Sequence, residues 1–180
     1  SVAADISAFY SRPFDLSDKR VAKLNIGTNI SNIGAKPTYD DGATYQYLPT
    51  NWRLGVNYEF PIDAYNKFSV SFDINKLLVP TTPLESDYET REEYENALDE
   101  YRNHGTIKGI FKSFGDSGGF GEEMKEITWS LGGEYSYRDM FMARFGYFHE
   151  NETKGNRKYF AAGIGFKMRV FEINAAYLIA

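Results

Sequence analysis

Nine consecutive residues, Trp52-Arg53-Leu54-Gly55-Val56-Asn57-Tyr58-Glu59-Phe60, place an apolar side chain at every even position and a polar residue or glycine at every odd one. Successive side chains of an extended chain point to opposite faces, so a period of two specifies a strand whose faces differ in chemistry. Phe68-Ser69-Val70-Ser71-Phe72-Asp73-Ile74-Asn75 repeats the pattern. Applied along the chain, the alternation predicts eight strands at about 2–10, 21–31, 52–60, 68–77, 126–137, 141–149, 159–168 and 171–180. Their connections take turns in length: a modest link with Pro13, a long Gly/Asn/Asp-rich stretch, Pro61 to Lys67, a very long insertion, Arg138-Asp139-Met140, a loop with Gly155-Asn156, and a tight turn at Arg169-Val170. Short and long connections in alternation are the layout of an antiparallel up-and-down β-barrel that spans an outer membrane. The predicted fold class is therefore all-β, a single transmembrane barrel domain over 1–180.

The direction of the two faces separates this reading from a soluble lipid-binding barrel, which turns its apolar side inward. The polar face carries Asn25, Gly27, Asn29, Gly55, Asn57, Ser69, Ser71, Asp73, Thr128, Ser130, Gly132, Glu134, Arg144 and Gly146, dominated by small groups suited to a crowded interior instead of the long Lys and Glu side chains of a water-facing sheet. The opposite face carries Leu54, Val56, Phe68, Val70, Phe72, Leu131, Phe141 and Phe145. Of the 14 Tyr and 14 Phe, Tyr58, Phe60 and Phe68 flank one short turn, Tyr135, Tyr137 and Phe141 a second, Phe166 and Phe171 a third, as an interfacial girdle requires. No run of ~18 apolar residues exists, which excludes a spanning helix and leaves a spanning barrel open. The start, Ser1-Val2-Ala3-Ala4, lacks a basic region followed by an apolar core, so an export signal is expected to have been removed or to lie outside this sequence.

The segment from Leu78 to Lys125 reads differently and is expected to be an ordered extracellular loop insertion. Ser86-Asp87-Tyr88-Glu89 and Thr90-Arg91-Glu92-Glu93 each fit a capping box, and Tyr94, Ala97, Leu98 and Tyr101 follow at helical spacing, predicting a helix at about 87–103. Gly105 is expected to end it in the left-handed region. Ile107, Ile110, Phe111 and Phe114 form a second apolar stripe with Lys108 and Lys112 on its other side, and Gly115, Gly118, Gly119 and Gly121 are expected to loosen the return. Residues 78–126 hold twelve Asp and Glu against five Lys and Arg, which accounts for the net charge of −5. No strongly basic patch remains for nucleic acid.

Catalysis has no support in the residue pattern. Cysteine is absent, which removes thiol nucleophiles, disulfides and thiolate metal sites. His104 and His149 have no partners at metal-ligand spacing, Asp40-Asp41-Gly42 lacks the remaining oxygens of a calcium loop, Gly163-Ile164-Gly165 does not lead into a phosphate-binding helix, and Asn151-Glu152-Thr153 is an incidental glycosylation-like triplet. No catalytic, metal or cofactor-binding residue is expected. Glu59, Asp73, Glu134, Arg53, Arg144 and Lys167 on the polar face are expected to pair with one another and fill the interior. Tyr94, Leu98 and Tyr101 are expected to pack their helix down, while Ile107, Ile110, Phe111 and Phe114 remain to form an exposed apolar patch of the kind that marks interaction sites.

Leu24 to Gly34 (LNIGTNISNIG), Leu48 to Phe60 (LPTNWRLGVNYEF), Ile74 to Pro83 (INKLLVPTTP), Glu126 to Tyr135 (EITWSLGGEY) and Gly146 to Met168 (GYFHENETKGNRKYFAAGIGFKM) together resemble the PorV family of outer-membrane type IX secretion components, relatives of FadL-type barrels. The resemblance implies a FadL-like barrel of fourteen strands without enzymatic activity, located in the outer membrane. It also implies partners: secreted cargo carrying a C-terminal signal domain, the translocon, and a sortase-containing attachment complex to which cargo is passed. Against that family the chain begins directly in a strand and stops at Leu178-Ile179-Ala180 without a terminal aromatic residue, so a part of a larger barrel is expected. For cargo docking, apolar anchors within a polar rim are expected at Leu78, Val79, Pro80, Ile107, Ile110, Phe111 and Phe114. The rival function is FadL-like conduction of small hydrophobic molecules, which needs an apolar conduit that the polar face does not offer.

Overall fold

The computed structural model describes residues 2–17, 19–36, 47–103, 105–115 and 120–179. Eight strands form one sheet in sequence order: β1 (Ala3–Asp15), β2 (Val21–Gly34), β3 (Asn51–Pro61), β4 (Asn66–Leu77), β5 (Ile127–Tyr137), β6 (Phe141–His149), β7 (Lys158–Lys167) and β8 (Glu172–Ile179). Three helices, α1 (Arg91–Asn103), α2 (Thr106–Lys112) and α3 (Phe120–Lys125), lie between β4 and β5. All eight expected strands are present. The first runs on through Pro13, which an edge strand tolerates because its outward side needs no N–H donor, so the first link lies after Asp15 instead. The sheet is not closed: among the described residues β1 and β8 are its two edges. None of the described helices is long and apolar enough to cross a membrane, which says nothing about strands.

Contacts divide the chain into two units, one of Ser1–Ile6, Asn29–Trp52 and Lys76–Glu126, the other of Ser7–Thr28, Arg53–Asn75 and Ile127–Ala180. In the second unit the alternation of the sequence becomes an alternation of exposure with unusual sign. Val70 is 42% exposed, Phe145 60% and Ile164 57%, while Ser69, Ser71, Glu134, Arg144 and Gly146 between them are half-buried and Ser136, Met142 and Gly165 buried. A sheet folded for water shows the reverse. Antiparallel register carries the pattern from strand to strand, with Gly132 opposite Gly146, Leu131 opposite Tyr147 and Ala143 opposite Ile164.

The covered face satisfies its own polar groups. Ser11 Oγ donates to Asn25 Oδ1 (2.8 Å), Asn25 Nδ2 to Asn57 Oδ1 (3.0 Å) and Asn57 Nδ2 to Ser71 Oγ (2.9 Å), a ladder crossing β1 to β4. Further along, Arg144 donates to Glu134 Oε2 (2.5 Å) and Asn174 Oδ1 (2.6 Å), and Asn174 Nδ2 to Glu172 Oε1 (3.0 Å). Glu134 and Arg144 thus pair as the sequence suggests, and Lys167 pairs with Glu172 at 3.7 Å.

The short turns are laced together. Arg138 and Asp139 have φ of 55° and 54° and the Met140 amide donates to Tyr137 O (3.0 Å), a two-residue hairpin of the twist-matched kind that ordinarily uses Asn-Gly. Non-glycine residues hold this conformation because the Arg138 amide donates to Tyr65 O (2.6 Å), its guanidinium lies 4.7 Å from the Tyr65 ring centre, and Asp139 accepts from Lys67 (2.8 Å). Arg20 joins in through Pro61 O (2.8 Å) and Ile62 O (2.7 Å).

On the opposite ends of β6 and β7, Arg157 clamps Glu150 with Nε to Oε2 (2.7 Å) and Nη2 to Oε1 (2.8 Å). These bonds hold the Glu150 carboxyl below its usual value, against a smaller effect of burial. The folded turn therefore takes up its proton at lower pH than the unfolded chain. Its contribution is complete above the ordinary glutamate range and disappears as pH falls through the lowered native value. Amide exchange at Arg157 is expected to show protection that is lost in that acidic window, and Glu150→Gln should abolish the inflection.

Candidate partner-binding surface

In the first unit, α1 begins later than the sequence implies. Of the two candidate capping boxes only the second forms: the Glu93 amide donates to Thr90 Oγ1 (3.2 Å) and the Thr90 amide to Glu93 Oε2 (3.2 Å). The first becomes part of a 3₁₀ turn at Glu85–Asp87. At its other end, Lys36 Nζ donates to Tyr101 O and Arg102 O (3.0 Å each), where the helix dipole favours a cation. The same ammonium lies 3.8 Å from the Tyr47 ring centre, and burial holds Lys36 below its ordinary value. The Tyr47 and Tyr101 rings meet edge to face at 5.2 Å.

Gly105 is not left-handed. Its φ of −64° and ψ of 154° are extended, because it caps a new helix: its carbonyl accepts from the Gly109 amide (2.9 Å). Thr106 Oγ1 ties the start of α2 to Gly34 O (2.7 Å). Gly109 is buried, and a Cβ there would come within 2.8 Å of Tyr47 Cε1 and 3.2 Å of Pro80 Cγ. Sequence reasoning passed over Gly109, although a glycine inside TIKGIFK, where alanine would favour the helix, signals close approach. Gly109→Val is expected to cost ~1–3 kcal/mol by overpacking and to expose α2 to proteolysis while the strands stay protected.

The expected anchors take two kinds of position. Leu78 is 2% exposed, its amide donating to Thr50 O (2.8 Å), while Thr50 Oγ1 donates to Asn32 O (2.9 Å). Pro80 is buried and Val79 half-buried. Ile107 (63%) and Phe111 (74%), at i and i+4 on α2, are exposed, Ile110 is half-buried, and Phe114 is exposed with one edge against Trp52 (ring centres 6.2 Å). Leu78 and Pro80 thus belong to the packing of the unit, whereas Ile107, Phe111 and Phe114 form a continuous apolar ridge flanked by exposed Lys108 and Lys112.

The return to β5 contains α3 where a loose glycine-rich segment was expected. Lys76 explains its position: Nζ donates to Glu123 Oε2 and Glu126 Oε2 (2.7 Å each), with the lysine side chain 3% exposed and each carboxylate 14%. A charge that far from water requires opposite charges at contact distance, so the end of α3 and Glu126, which follows it, are fixed on Lys76.

His149 stacks on Trp129 (5.1 Å between ring centres, 23° between planes) and lies 3.4 Å from the Tyr147 hydroxyl. His104, Asp40, Asp41, Gly42, Gly118 and Gly119 lie outside the described residues. Among those described, no three His, Asp or Glu side chains gather as a metal site.

The family model of the type IX secretion system protein PorV matches residues 1–84. LNIGTNISNIG, LPTNWRLGVNYEF and INKLLVPTTP fall inside that stretch, whereas EITWSLGGEY and the ridge on α2 fall outside it. The resemblance is upheld over residues 1–84, and GYFHENETKGNRKYFAAGIGFKM, like EITWSLGGEY, lies beyond the match. The matched family is a type IX secretion system component, not known as an enzyme. No curated protein matches the chain.

Proposed function

We propose, taking the match of residues 1–84 to the PorV family as premise, that the chain contributes an outer-membrane β-barrel wall whose extracellular insertion docks secreted cargo of type IX secretion. The single observation that carries the membrane reading is the inverted sheet, with Val70, Phe145 and Ile164 exposed and the Asn/Ser/Arg face covered and internally hydrogen-bonded. Against acyl chains this arrangement presents apolar side chains outward; in water it would expose a wide apolar surface. Tyr135, Tyr137 and Phe166 beside the short turns supply an interfacial girdle. The open edges β1 and β8 fit strands that pair with further strands to complete a FadL-like barrel.

Cargo with a C-terminal signal domain docks on the ridge of Ile107, Phe111 and Phe114, which Leu78, Val79, Pro80 and Ile110 support from the packed side of the unit, and is passed from translocon to attachment complex. Conduction of hydrophobic molecules is less favoured. The cavity of about 610 Å³ on the covered face sets Asn57, Ser71, Glu134 and Arg144 among alanines, glycines and Phe145, so a hydrophobic solute would meet charged and amide groups along its way. Replacing Phe111 and Phe114 together by Ser is expected to lower cargo recovery in a mild-detergent pull-down by ~10-fold or more, as losing two aromatic anchors does, with barrel assembly intact. Unchanged recovery would remove the ridge from the mechanism.

A further inference from the structure

Within the insertion, a second concavity lies beside the ridge, between the Pro80–Pro83 segment and the flank of α1. Its volume is about 180 Å³, and its walls include Pro80, Tyr88, Tyr101, Asp87, Glu100 and Lys112. Pockets for drug-sized ligands run ~300–1,000 Å³, so this one takes a single long side chain. Two carboxylates face one ammonium there, within a segment that carries twelve acidic and five basic residues. Lys112 Nζ already lies 3.7 Å from Glu100 Oε1, an internal cation at the rim. Tyr101 takes part in holding another, since Lys36 lies 5.7 Å from its ring centre while bonding its carbonyl. Aromatic faces beside carboxylates are the chemistry that receives a guanidinium or ammonium.

From this charge complementarity we infer that the pocket receives a lysine or arginine side chain of the docked protein. The inference rests on the docking reading above and adds a polar selectivity element to its apolar ridge. Apolar burial supplies attraction that many partners share, whereas a cation-specific pocket beside it fixes register and rejects acidic sequences. Lys112 is the competitor that a partner's cation displaces from Glu100.

The test titrates the full chain in detergent at low salt with Nα-acetyl-arginine amide, with the norleucine and glutamate amides as controls. The arginine probe is expected to bind saturably and to weaken as salt rises. The double variant Asp87→Asn/Glu100→Gln should weaken it by roughly fivefold. Lys112→Ala should tighten it, a gain that misfolding cannot produce. Equal binding of the arginine and norleucine probes, preference for the glutamate probe, or weakening by Lys112→Ala would each overturn the inference. Cargo recovery that depends on Phe111 and Phe114 while the arginine probe fails to bind overturns the pocket alone. Recovery indifferent to both aromatics overturns the docking reading instead.

Discussion

Ile164→Arg and Val70→Arg are expected to destabilise the protein by ~1–3 kcal/mol each in a bilayer, between the costs of a guanidinium at the interface and at the lipid-facing midplane of a barrel. Both side chains are about half exposed and make no ring stacks or polar contacts. In a water-facing sheet, substitutions at such exposed positions stay within ~0.5 kcal/mol. The two accounts therefore differ by several-fold in the same measurement, reversible urea unfolding from vesicles. Ser69→Arg and Ser71→Arg on the other face supply the control, since an arginine there meets the hydrogen-bonded ladder and its cost comes from crowding Asn57, not from lipid. A small effect at Ile164 with a large one at Ser71 contradicts a lipid-facing apolar side.

Lys76→Met is expected to cost ~3–5 kcal/mol, the penalty for leaving one side of a buried ion pair uncompensated. It strands two carboxylates that are each 14% exposed and that both contact the ammonium at 2.7 Å. The consequence is local: α3 and Glu126 lose their anchor, so proteolytic cleavage between α2 and β5 should rise steeply. Lys76→Met combined with Glu123→Gln and Glu126→Gln should recover most of the loss, because neutral groups do not repel. A single variant as resistant as the parent protein would show that the triad is solvated in solution.

The strands were legible because alternation is a local property: the two-residue period of the sequence appears as alternating exposure from Phe68 to Phe72 in β4. The direction of the faces was legible too, since small Ser, Asn and Gly on one side and bulky apolar groups on the other suit opposite surroundings. What escaped the sequence depends on partners distant along the chain. Gly105 has the composition of a helix terminator, yet it caps α2, which Thr106 fastens to Gly34, 72 positions away. The position of α3 depends on Lys76, and no periodicity links Lys76 to Glu123. Likewise Leu78 and Phe111 look alike as apolar loop residues. Only the packing of Leu78 beneath the Thr50 carbonyl separates a structural residue from an accessible one.

The chain has no cysteine, so single cysteines carrying a spin label can be placed along β4 and β7 without background. Accessibility to oxygen, which partitions into lipid, and to a water-soluble nickel chelate is then measured in a bilayer. The account predicts high oxygen and low nickel accessibility at 68, 70, 72, 160, 162 and 164, alternating with low oxygen accessibility at 69, 71, 161 and 163. Nickel accessibility that is high at 70 and 164, with oxygen accessibility flat along both strands, would contradict it.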